Sequence, residues 1–113
     1  MDQTRVNQVI QFFTDELRQS GIDIYATILF GSCSTGLSTD QSDIDQAIVS
    51  QSFQDYEFSN RFHLIGKQIV KTVQHYHIPV DVIPLTQDEY ENEKSIRMEF
   101  IRGGRLIIPE SGA

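Results

Sequence analysis

The chain has 113 residues, 39% of them hydrophobic, and sets 9 Lys and Arg against 16 Asp and Glu for a net charge of −7. That length builds one core and not two, so a single domain over 1–113 is expected, and the apolar content excludes a disordered chain. The acidic balance argues against direct nucleic-acid binding, which needs a basic patch over phosphates, and favours a basic protein partner steered by an acidic surface.

The opening stretch MDQTRVNQVIQ has neither the basic segment nor the apolar segment of a secretory signal. No apolar run approaches the ~20 residues that span a bilayer, so no membrane association is expected. Cys33 is the single cysteine. No internal disulfide can form, and a cytoplasmic location is the expectation.

Residues 5–18 predict an amphipathic helix: Val6, Val9, Ile10, Phe13 and Leu17 recur at helical spacing, and Gly21 follows as a stop. IDIYATILF, 22–30, is β-branched, aromatic and apolar almost throughout, as in a strand covered on both faces. Residues 31–42 have the Gly, Ser and Thr content of a loop. SDIDQAIV, 42–49, alternates and predicts a second strand.

A long helix is expected over about 55–76, with Phe58, Phe62, Ile65, Ile69, Val73 and Tyr76 as its apolar stripe. PVDVIPL then predicts a strand bounded by Pro79 and Pro84. Thr86 and Glu89 have the spacing of a capping box, which opens a last helix ending near Gly103 and Gly104. RLIIP can add a closing strand. The expected fold class is α/β (α+β): a small mixed β-sheet with helices packed against it.

The chemistry concentrates around Asp43 and Asp45. Residues two apart on a strand point the same way, with Cα atoms ~6.6 Å apart. Two carboxylates so placed can lean together over a pair of Mg²⁺ ions, which in two-metal sites lie ~3.5–4 Å apart. In the bland alternative, Asp43 finishes a turn and Asp45 faces solvent. Asp81 shifts the balance, because Val80 and Val82 share one strand face and leave Asp81 on the other. Paired beside SDIDQAIV, it would add a third acid, and three acids together call for a hard oxygen-seeking cation. Gly31 and Ser32, directly after the buried strand, could bring backbone N–H groups and a hydroxyl to a polyphosphate. Gly-Ser alone begins many loops.

Together, GSCSTGLSTDQSDID and the later VDVI resemble the DNA polymerase β-like nucleotidyltransferases. Within them the sequence is similar to the minimal nucleotidyltransferase (MNT) group, many of which are antitoxins of toxin–antitoxin systems with HEPN-domain toxins. The resemblance covers 24–49 and 79–85. It implies a polymerase β-like nucleotidyltransferase fold and transfer of AMP from ATP (AMPylation). Gly31 and Ser32 would bind nucleotide, Asp43 and Asp45 would hold two Mg²⁺ ions, and Asp81 would ligate one of them and help to deprotonate the acceptor. The implied acceptor is a tyrosine of a HEPN-family toxin, which modification neutralises. A HEPN nuclease motif, R-x4-6-H, is missing here, since Arg61 and His63 are two apart.

One departure concerns the residues after Gly-Ser. Many relatives carry a basic residue there, and this chain has Ser34-Thr35-Gly36. Lys94 or Arg97 could compensate, although a solvated helical face is the simpler reading. The departure leaves open a degenerate transferase that inhibits a partner by contact. Transfer to a small-molecule acceptor also stays open, if a homo- or hetero-oligomer builds the cleft. His75 and His77 fit a helix end better than a metal pair. Cys33 reads as a small buried residue, and RGGR, 102–105, as a glycine stop. Gln46 occupies a position where an apolar residue is common, and faces either the site or an edge.

Overall fold

The computed structural model describes residues 2–31 and 43–107; residues 32–42, with Ser32 and Cys33, lie outside the described residues. Helix α1 runs Gln3–Gln19, capped by the Asp2 carboxylate, which accepts from Arg5 N at 2.8 Å. It ends as the sequence predicts. Gly21, at φ 86°, donates to Arg18 O at 3.0 Å, and Ile22 N donates to Leu17 O at 3.0 Å. Those two bonds satisfy the orphan carbonyls and turn the chain back.

The first strand, β1, is shorter than its apolar run, covering Ala26–Phe30. Ile22 is spent on the helix terminus and Asp23 N donates to Ser52 Oγ at 3.1 Å, so ladder pairing begins only at Ala26, opposite Val49. Strand β2 covers Ile44–Val49, helix α2 Phe58–Tyr76, strand β3 Val80–Leu85, helix α3 Gln87–Asn92, helix α4 Ile96–Arg102 and strand β4 Arg105–Ile107. The four strands form one mixed sheet in the order β3-β2-β1-β4. Strand β1 is antiparallel to both β2 and β4, and β2 is parallel to β3, with α2 as the crossover between them.

Strand alternation gives the sheet two faces. Leu29, Ile44, Ile48, Val80 and Val82 pack under α1 and α2, against Val6, Val9, Phe13, Leu17 and Ile65. Ala26, Ile28, Ala47, Val49 and Leu85 take the second face, under Met98 and Ile101 of α4, with Phe58 and Tyr90 packed alongside.

Two sequence expectations need correction. The buried side of α2 includes Arg61, Gln68 and Thr72, whereas Phe62 is exposed. Each buried polar group has a partner: Arg61 binds Glu89, Gln68 meets Ser20 Oγ at 2.7 Å, and Thr72 Oγ1 donates to Gln68 O at 2.8 Å. The expected last helix is two helices. The Thr86–Glu89 capping box opens α3 as predicted, but Ser95 then caps a fresh start by accepting from Met98 N at 3.1 Å. Arg102 staples the pair by donating to Tyr90 O at 2.7 Å and to the carbonyls of Glu89 and Glu93.

Gly104 shows why the chain carries glycine before β4. A Cβ there would lie 2.5 Å from Leu29 O, so only a bare backbone lets β4 close on β1.

Candidate functional site

The parallel pairing of β2 with β3 sets Asp45 directly opposite Asp81. Ala47 then faces Ile83, and Val49 faces Leu85, along the same side of the sheet. The apolar pairs lie beneath α3 and α4; the acids occupy the end those helices leave open. Asp81 is exposed and Asp45 half-buried. Their carboxyl groups are in hydrogen-bond contact, and Asp43 is near enough to act on Asp45 through its charge. Burial, then the charge of Asp81, the hydrogen bond with Asp81 and the charge of Asp43 hold the Asp45 carboxyl above its ordinary pKa.

Gly31 closes the site from the β1 side. It follows Phe30 at φ 73°, and a Cβ built on it would lie 2.5 Å from Asp45 Oδ2. The glycine backbone therefore rests against the acid. Its left-handed conformation disfavours an ordinary side chain, and a Cβ would also push the Asp45 carboxylate aside. Of the five residues singled out from sequence, Gly31, Asp43, Asp45 and Asp81 converge here, and Ser32 lies outside the described residues.

Among the described residues no group of three or more acidic, histidine or cysteine side chains is placed to hold a metal ion. The sheet instead supplies a registered pair of carboxylates with a third acid close by. This all-oxygen, negatively charged donor set suits Mg²⁺, since a shared proton or a cation must offset the repulsion. Two facing carboxylates are donors of the kind a divalent cation takes.

Of the two basic residues offered as substitutes for the loop cation, Arg97 lies 5.1 Å over the Phe58 ring, and Lys94 is exposed. His75 stacks on Phe12 at 4.6 Å, and His77 caps α2 in a left-handed conformation, so both serve the helix end. A cleft lined by Gln51, Gln54, Arg61, Thr86 and Gln87 opens at the other end of the β2–β3 pair. Arg61 is fully engaged there. It donates to Glu89, to Pro84 O at 3.0 Å and to Tyr56 O at 3.0 Å.

Sequence reasoning passed over Phe30. It stands opposite Asp45 in the β1–β2 register and thus shares its face. Nothing in an apolar run distinguishes the residue that emerges at its end. Gln46 resolves against both alternatives, because it lies on the face covered by α1 and α2 and is fully buried. Neither of its amide atoms has a hydrogen-bond partner among the described residues.

A four-stranded mixed sheet backed by two long helices, with a glycine turn and an acid pair at its open end, defines an α+β domain with a nucleotidyltransferase-like fold. A solved structure of a candidate nucleotidyltransferase from Sulfolobus solfataricus superposes on it with a TM-score of 0.70 at 20% identity, covering 96% of this chain and 84% of that one. The model of the nucleotidyltransferase domain family matches residues 8–105, and the chain belongs to that family. No curated protein matches the sequence.

Proposed function

We propose that the protein is a Mg²⁺-dependent nucleotidyltransferase that moves AMP from ATP to a tyrosine hydroxyl of a partner protein, a HEPN-family toxin, and so neutralises it. One observation carries the catalytic part of this reading. Asp45 and Asp81 face each other on the open end of the sheet, with Gly31 against Asp45. Asp43, Asp45 and Asp81 are the proposed metal ligands, and Gly31 and Ser32 the nucleotide-binding turn. A bound cation would offset charge building on the phosphates and make the acceptor hydroxyl more acidic.

The residues divide the work by exposure. Asp45 is half-buried against the glycine, on the side where the triphosphate would enter, whereas Asp81 is exposed. An acceptor presented from outside would therefore meet Asp81 first. The acceptor oxygen attacks the α-phosphorus and a new P–O bond forms. The bond to pyrophosphate breaks, and the acceptor proton passes to the Asp81 carboxylate and on to solvent. The Gly31-Ser32 segment is the proposed support that would orient the phosphates for in-line displacement.

The partner assignment rests on the sequence resemblance, supported by the acidic net charge of −7, which would steer a basic RNA-cutting partner. The test is incubation with labelled ATP, Mg²⁺ and a HEPN-family protein taken from the reading frame beside this chain, whose presence there is the first check. Label on the partner, lost in Asp43→Asn, is the expected result, and an unlabelled intact pair refutes the proposal. A second reading is favoured by Ser34-Thr35-Gly36 in place of a basic residue: contact inhibition without chemistry. Neutralisation surviving the Asp43→Asn, Asp45→Asn double variant would select it.

A further inference from the structure

We propose that Phe100, backed by Phe30, is the platform on which the base of the nucleotide stacks; this rests on the nucleotidyl-transfer reading above. The β-sheet register places Asp81, Asp45 and Phe30 in one row across neighbouring strands, on one face. Gly31, the next residue after Phe30, touches the Asp45 carboxylate. A triphosphate held at that turn must send its nucleoside out over one end of this row or the other. Asp81 occupies one end, and its negative charge offers a base nothing. The other end is aromatic.

There the Phe30 ring meets the Phe100 ring edge-on, with centroids 5.9 Å apart and an interplanar angle of 82°. Phe30 is half-buried, but Phe100 is 62% exposed. Its helix is firmly placed, because Met98 and Ile101 are fully buried and Arg102 is bonded to three carbonyls. The exposure of Phe100 is therefore set by the fold. Ile96, one turn earlier on α4, is 90% exposed and widens the apolar surface on that side. A ring held rigidly at the rim has little conformational entropy to lose when a planar group covers it.

Stacking on phenylalanine reads only the flat face of a base. The platform therefore favours the larger purines over pyrimidines and does not tell adenine from guanine. Truncating such a contact weakens binding roughly ten-fold.

The test uses the chain's lack of tryptophan. Phe100→Trp installs a single indole whose emission a stacked base quenches. Mg-ATP is expected to quench it, and inorganic tripolyphosphate with Mg²⁺ is expected to bind without quenching. By calorimetry, Phe100→Ala and Phe100→Leu should each bind Mg-ATP roughly ten-fold more weakly than wild type, with tripolyphosphate affinity unchanged. Leu retains the apolar bulk and removes the ring face, so wild-type affinity in Phe100→Leu overturns the stacking proposal. Full ATP affinity in Phe100→Ala, or unquenched emission at ATP saturation, overturns it too and leaves the transferase reading standing. If wild type binds neither ATP nor tripolyphosphate, both fall.

Discussion

Replacing Asp45 by Asn should stabilise the metal-free protein. The Asp45 carboxyl has its pKa raised by burial, then by the charge and hydrogen bond of Asp81 and the charge of Asp43. A carboxyl raised above its unfolded value holds its proton better in the folded state. Its ionisation therefore costs stability, and the cost appears as pH rises through the folded value. The cost is complete once pH exceeds the folded value. Adjacent strands lie ~4.8 Å apart, and two unit charges ~5 Å apart repel by about 3 kcal/mol at an effective dielectric of ~20. Asp81 is exposed, so solvent screening reduces this to about 1 kcal/mol. The Asn amide would also donate to Asp81. Thermal unfolding in EDTA should show Asp45→Asn melting roughly 4 °C above wild type, the shift expected of about 1 kcal/mol in a domain of this size. Millimolar Mg²⁺ should then raise the wild type markedly and the variant little, because ligand binding to the folded state adds stability by mass action. A variant that melts below wild type in EDTA, or gains as much from Mg²⁺, would refute the argument.

Three further outcomes follow from the packing. Gly31→Ala places a Cβ 2.5 Å from Asp45 Oδ2 at φ 73°; about 1–2 kcal/mol of lost stability is expected, with a fall in partner labelling, and an unchanged melt would contradict the geometry. Gln46→Leu removes a buried amide without a partner among the described residues, so denaturant melts should show a gain of about 1 kcal/mol. Loss of stability instead would mean that the amide is hydrogen-bonded. For Glu89, burial acts to raise the carboxyl pKa, but the hydrogen bonds and charge of Arg61 and the Thr86 bonds outweigh it and leave a net lowering. That stabilisation is present above the ordinary carboxylate range and is lost as pH falls through the lowered folded value. Glu89→Gln should therefore flatten the acid limb of a melting-temperature profile, and Arg61→Met, which strands the other half of the pair, should cost about 3 kcal/mol at neutral pH.

The strands, the first two helices and the face shared by Asp45 and Asp81 were legible because each rests on periodicity. The α1 terminus was readable from Gly21, and the capping box from Thr86 and Glu89. The split of the last helix was hidden, since Ser95 caps α4 within a stretch whose composition suits a continuous helix. The inner side of α2 was misread for a different reason. Arg61, Gln68 and Thr72 look like solvent residues until Glu89 and Ser20 are brought in from distant parts of the chain. Phe30 and Phe100 gave no signal, because only the register of β1 and the placement of α4 bring them to the acids.

The pairing of Asp45 with Asp81 also dictates when the site comes into being. The two acids belong to parallel strands joined by the whole of α2, and such a crossover must close a long loop before its contacts form. On the proposed metal reading, full cation affinity should thus be a late-acquired property, weakened in any folding intermediate in which β1 and β2 have zipped together and β3 has not docked. A nascent chain emerging without β3 would have most of one helical layer and would lack Asp81, so the facing pair of carboxylates would not yet exist.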